Sequence, residues 1–137
     1  MGQSMRVLII EDVETVRENL TYHLKQHFQA IQHFRDRNLN LIGASTLAEV
    51  FRILEFQRPE LVISDVLLGA LNARDTLGEL LTQRKIPVLW ISATPRLSTE
   101  LRKPCFDGSR VDNSSVQCLL DEVQSRLLLI KNALLTQ

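Results

Sequence analysis

Cysteine is scarce: Cys105 and Cys118 are the two thiols in 137 residues, and their separation matches neither a disulfide framework nor a metal-binding spacing. A stapled secreted mini-domain is thereby excluded, and a reducing cytoplasm is the expected home. An excess of one charge is also absent, because 16 Lys and Arg face 16 Asp and Glu. Nucleic-acid binding by this chain alone is not expected, since a phosphate backbone calls for a basic surplus. Long apolar runs are missing too. The longest, Val7 to Ile10 and Leu127 to Ile130, fall far short of the ~20 residues that cross a bilayer, so no membrane span is expected. Five glycines and four prolines rule out a collagen-like chain, and 45% hydrophobic with 23% charged residues rules out disorder.

What remains is a chain of one-domain length, able to bury roughly 70% of its unfolded surface. Met1 to Ser4 carries no basic-then-apolar organisation, and Arg6 stands where a myristoylation signal wants Ser or Thr. Residues 1–4 are read as a leader or tag and residues 5–137 as the domain.

Met5 to Ile10 is a short β-branched and apolar run ending in Glu11-Asp12, the pattern of a central parallel strand buried on both faces. Val13, Val16, Leu20, Leu24, Phe28, Ile31 and Phe34 then recur at spacings of three and four, predicting a helix to about Asp36. Leu39 to Ala44 reads as a second strand. Ser45 or Thr46 caps a helix that carries Leu47, Val50, Phe51 and Leu54 inward. Glu60 to Asp65 and Pro87 to Ser92 give the third and fourth strands, with a weaker helix from about Asn72 to Arg84 between them. A short helix within Leu97 to Phe106, an edge strand from Ser109 to Asn113, and a last helix carrying Val116, Leu119, Leu120, Val123, Leu127, Ile130 and Leu134 complete the alternation. The class is α/β, doubly wound, with five parallel strands and helices on both faces. Trp90 lies in a strand and is expected in the core. His23 and His27 stand four apart on the first helix but find no third ligand, and are expected at the surface.

In an open parallel sheet the ligand site forms beyond the carboxyl ends of the strands. Here those ends carry Glu11-Asp12, Asp65, Ser92 and Asn113, while the strand bodies are apolar. One or two polar strand ends are ordinary, and an Asp in Asp65's place can simply cap the next helix. It is the conjunction that points to chemistry. If the first and third strands are neighbours, about 4.8 Å apart, three carboxylates converge and repulsion raises at least one pKa unless a cation intervenes. Oxygen-only ligands in small number suit magnesium, which keeps waters and takes a phosphate oxygen. Asp65 is then available as a nucleophile toward phosphorus.

Val7-Leu8-Ile9-Ile10-Glu11-Asp12, Leu61-Val62-Ile63-Ser64-Asp65-Val66 and Pro87-Val88-Leu89-Trp90-Ile91-Ser92-Ala93 together resemble the receiver domains of two-component response regulators, over nearly the whole chain. The resemblance implies a flavodoxin-like strand order 2-1-3-4-5. It further implies Asp65 as phosphoacceptor, Glu11, Asp12, Asp65 and the Leu67 carbonyl as ligands of magnesium, and Ser92 as the hydroxyl that follows the phosphoryl group. A histidine kinase or phosphotransfer protein is the implied donor, and the domain itself is not an enzyme. The family also holds a Lys followed by Pro at the end of strand five. Lys103-Pro104 comes only 11 residues after Ser92, too soon for a parallel crossover of a dozen or more. Asn113 fits that position instead, and Arg110 takes the place of the switching aromatic residue.

Two other readings accompany this one. A pseudo-receiver acting as a phosphorylation-independent interaction module is favoured by Asn113 and Arg110. A magnesium phosphatase is disfavoured because Leu67 stands where a second catalytic Asp would be, two residues after Asp65. On the last helix, Leu128, Leu129 and Leu135 fall off the inward stripe, widening its apolar arc. They point to a homodimer or an effector as the covering partner.

Overall fold

The computed structural model describes residues 5–30, 39–91 and 120–130. Strand β1 (Met5–Ile10) is central: it pairs in parallel with β2 (Leu39–Ala44) on one side and β3 (Leu61–Asp65) on the other. A parallel central strand is covered on both faces, which is why MRVLII alternates no polar residue into its run after Arg6. Beyond a small hairpin of β4 (Leu67–Leu68) and β5 (Leu71–Asn72), strand β6 (Val88–Ile91) adds to β3. The main sheet has the order β2-β1-β3-β6, all parallel. Four strands of the expected doubly wound sheet are thus in place. The fifth strand at Ser109 to Asn113, the helix within Leu97 to Phe106, both cysteines and the ends of the first and last helices lie outside the described residues.

Side chains leave a strand to alternate faces, and β1 divides two cores accordingly. Val7 and Ile9 join Leu61, Ile63, Leu89 and Ile91 under Leu20, Leu24 and Phe28 of α1 (Glu14–Ala30) and Leu120, Val123 and Leu127 of α4 (120–130). Leu8, Ile10 and Val62 face the other way, under Val50 and Leu54 of α2 (Leu47–Phe56) and Ala73, Leu77 and Leu81 of α3 (Ala73–Gln83). Helices therefore cover both faces.

Three packing expectations are corrected. Phe51 is 44% exposed: it follows Val50 by one residue, about 100° around the helix, outside the narrow stripe of Val50 and Leu54. Trp90 is half-buried, its side chain over Gly78 of α3 at the rim of the second core. Leu128, expected off the stripe, is half-buried against the first core, whereas Leu129 is 70% exposed as expected.

Helix ends are fixed by side chains and backbone. Thr46 caps α2, its hydroxyl accepting from the Glu49 amide at 3.2 Å, while the Glu49 carboxylate takes the Ser45 hydroxyl at 2.8 Å. Asn72 caps α3 through the Asp75 amide at 3.1 Å. At the far end of α3 the Ile86 amide reaches Leu81 and the Lys85 amide reaches Thr82, a Schellman closure that requires a left-handed residue. That residue is Lys85, at φ 58. A Cβ in this region costs about 1 kcal/mol, so Lys85→Gly is expected to raise stability by about that amount in urea unfolding. An unchanged or lower midpoint would show that the turn carries no strain.

Candidate functional site

Two strand registers assemble the site. Ile10 stands opposite Ser64 and Asp65 opposite Ile91, so the chain leaves β1 and β3 at the same level. Glu11 follows Ile9 by two residues and Asp65 follows Ile63 by two, which keeps both in phase with the face under α1. Asp12 sits in the bend before α1. The result is a trio, Glu11, Asp12 and Asp65, each offering a carboxylate oxygen within 4.8 Å of the others. Among the described residues it is the one such group of potential metal ligands, and it lies where the strand order turns from β2-β1 to β1-β3.

Burial is graded across the trio. Glu11 is only 4% exposed, Asp65 is half-buried and Asp12 is open to solvent. Glu11 is held at three points: its amide donates to the Ala44 carbonyl at 3.0 Å, its carbonyl accepts from Arg17 Nη1 at 2.7 Å, and its Oε1 accepts the Val13 amide at 3.1 Å. Asp65 Oδ1 accepts the Leu67 amide at 3.1 Å, and Asp12 Oδ2 accepts the Gly69 amide at 3.0 Å. The last bond comes from the β4–β5 hairpin, whose tight turn places Gly69 at φ 61. The hairpin thus straps Asp65 and Asp12 together, through the Leu67 and Gly69 amides.

Electrostatically the trio is unbalanced. Burial first, then the hydrogen bond and charge of Asp65, push the Glu11 carboxyl up to about 8, against the opposing Val13 amide. Asp65 is raised as well, chiefly by burial and also by the charge of Asp12, while hydrogen bonds from Glu11 and the Leu67 and Val66 amides oppose the rise. The carboxylate repulsion expected from the sequence is therefore present, with burial the larger cause of the rise at both Glu11 and Asp65. No Lys or Arg among the described residues forms an ion pair with the three.

Glu11, Asp12 and Asp65 are brought together as expected, and Leu67 follows at the start of the strap. Ser92, Asn113, Lys103 and Arg110 lie outside the described residues. His27 is half-buried, its Nε2 3.0 Å from Gln124 Oε1 between α1 and α4, and His23 meets the Tyr22 ring edge-on, so the pair shares no ligand site. Sequence reasoning missed Arg17 and the strap. The strap had a signal, since Gly69-Ala70 between Leu67-Leu68 and Leu71 is a short turn between apolar residues. Arg17 had none.

Comparison with known proteins bears on the fold. No family model matches the chain. It is 27% identical over 113 residues to a protein-glutamate methylesterase/protein-glutamine glutaminase 2 of Rhizobium johnstonii, an alignment covering 82% of this chain and 28% of that protein. A protein of the same description from Paramagnetospirillum magneticum is 28% identical over 94 residues, 68% of this chain and 24% of its own length. The chain thus spans about a quarter of the curated relatives it matches. Among solved structures, an AraC two component transcriptional regulator from Clostridium phytofermentans superposes with TM-score 0.70 at 15% identity, covering 97% of this chain and 99% of that one. The chemotaxis response regulator CheY4 of Vibrio cholerae superposes with TM-score 0.64 at 14% identity, covering 90% and 98%. The chain has the flavodoxin-like receiver fold, and the resemblance read from its strand ends holds at the level of the fold.

Proposed function

We propose that this domain is a receiver of a two-component phosphorelay, accepting a phosphoryl group on Asp65 from a phosphohistidine donor. The observation that carries this reading is the trio itself: three carboxylates at the switch point of a receiver-type sheet, one of them, Glu11, almost wholly buried. A set of oxygen donors carrying surplus negative charge, with no cationic side chain paired to it among the described residues, fits a hard divalent cation. Glu11, Asp12, Asp65 and the Leu67 carbonyl would hold magnesium, which when bound offsets the charge gathered around a transferring phosphoryl group. An oxygen of Asp65 attacks phosphorus as the bond from phosphorus to the donor's nitrogen breaks, leaving an acyl phosphate on the domain and a free histidine on the donor. Glu11 would give up its proton where such a cation is bound, and its carboxylate is aligned by the Val13 amide. The Gly69 strap orients Asp12. Ser92 would follow the phosphoryl group, and Asn113 would stand where a charged lysine pairs with it.

Intact-mass analysis with acetyl phosphate and magnesium tests the assignment. One phosphate adduct is expected, labile to hydroxylamine and abolished by Asp65→Asn. No adduct on the folded natural protein would replace this reading by the phosphorylation-independent interaction module that Asn113 favours. A surface of the last helix around Leu129, 70% exposed, would carry output in either case, toward an effector or a second copy.

A further inference from the structure

Arg17 lies on α1, one turn past the acidic bend, and touches none of the three carboxylates. Its side chain instead runs across the end of β2. A Cβ built on Gly43 would come within 3.2 Å of Arg17 Cδ, 3.5 Å of Nε and 3.7 Å of Cγ, so the arginine stem lies on bare glycine backbone. Gly43 has no left-handed backbone to explain it; it pairs in register with Ile9 as an ordinary strand residue. From that path the guanidinium reaches the Glu11 carbonyl at 2.7 Å, a charge-assisted bond of the stronger kind. The Glu11 amide is meanwhile held by Ala44, the residue after Gly43. The two peptide units that flank the Glu11 Cα are therefore both held, the one before it from β2 and the one leading into Asp12 from α1.

We infer that Arg17 is a positioning residue for the acidic trio, clamping the Glu11 carbonyl so that Glu11 and Asp12 enter the site at fixed angles, and that Gly43 is glycine to let the arginine pass. The inference deepens the metal-site reading above and rests on it for its functional consequence. Arg17 supplies no ligand and no proton. It fixes the backbone from which two ligands hang, and misplacing ligands by fractions of an ångström weakens a cation that demands near-octahedral geometry.

The test is a magnesium titration of the full chain followed by amide NMR at Glu11, Asp12, Val13 and Asp65, in the natural protein, Arg17→Met, Arg17→Lys, Gly43→Val and the Arg17→Met/Gly43→Val pair. Arg17→Met and Gly43→Val are each expected to weaken magnesium about tenfold, the loss of one charge-assisted bond, and to shift the Glu11 and Asp12 amides in metal-free protein. Arg17→Lys should recover part of both effects. The double variant should be no weaker than Arg17→Met alone, because Gly43 acts through Arg17. Unchanged affinity and unchanged amide shifts in Arg17→Met overturn the inference, as does full additivity of the two substitutions. If the natural protein binds no magnesium, the metal reading falls, while the metal-free shifts still decide the role of Arg17. Should Arg17→Met not fold, Gly43→Ala, which moves the arginine by a few tenths of an ångström, gives the same comparison in smaller steps.

Discussion

Glu11→Gln is expected to stabilise the metal-free protein by about 3 kcal/mol at neutral pH and to change it little in mild acid. The glutamine keeps an oxygen for the Val13 amide and gains an N–H for Asp65, so it copies the protonated acid. In the natural protein the folded-state value of this group is raised from 4.5 to about 8. The folded state then binds more protons than the unfolded one between those values. Stability is full below about 4.5 and declines as pH rises toward 8, the reverse of the usual carboxylate pattern. Glutamine removes that slope. Magnesium should flatten it in the natural protein by replacing the proton, raising the melting temperature more at pH near 8 than near 5. Urea unfolding at several pH values, with and without magnesium, checks both statements. A glutamine variant less stable than the natural protein at neutral pH would mean that the trio is not under charge stress.

Ile63→Ala should cost about 4 kcal/mol, the upper part of the range for an aliphatic core truncation. Ile63 is fully buried in β3 between Ile9 and Leu89, in the core shared with α1 and α4. Because Asp65 is two residues on along the same strand, loosening this point should also weaken magnesium binding. Phe56→Ala is the control: its ring is 80% exposed, and a loss within about 0.5 kcal/mol is expected. Equal unfolding midpoints for the two variants would contradict the two-core description.

The strands were legible because a parallel sheet writes itself as unbroken apolar runs. Leu39–Ala44 and Met5–Ile10 are bounded as read, and Leu61–Asp65 and Val88–Ile91 each begin one residue later than read, the end at Ser92 lying outside the described residues. The acidic trio was legible because its members are strand-terminal, and the sheet topology alone brings them together. Amounts of burial were less accessible. Phe51 and Trp90 were placed inward on hydrophobicity, but one residue of helix phase and a position at the rim of a core leave them half in water. Arg17 and Gly43 were invisible for a different reason. They are 26 residues apart in the sequence, and their relation is one of clearance between a side chain and a backbone, which no local pattern records.

The ladder between β1 and β3 has a consequence for how this site can change over evolutionary time. Parallel strands slip past one another in whole residues, and only slips of two keep every side chain on its own face, a jump of about 6.6 Å. The Glu11 to Asp65 separation is therefore quantised: the next permitted backbone register would pull the carboxylates apart by more than a coordination sphere can span. Fine adjustment has to come from the side chains. Glutamate at position 11 carries one methylene more than aspartate would, and its buried carboxylate accepts the Val13 amide just past the end of β1. Adjusting affinity through such one-carbon steps leaves the sheet register locked, so the strands keep their pairing while the chemistry at their ends is tuned.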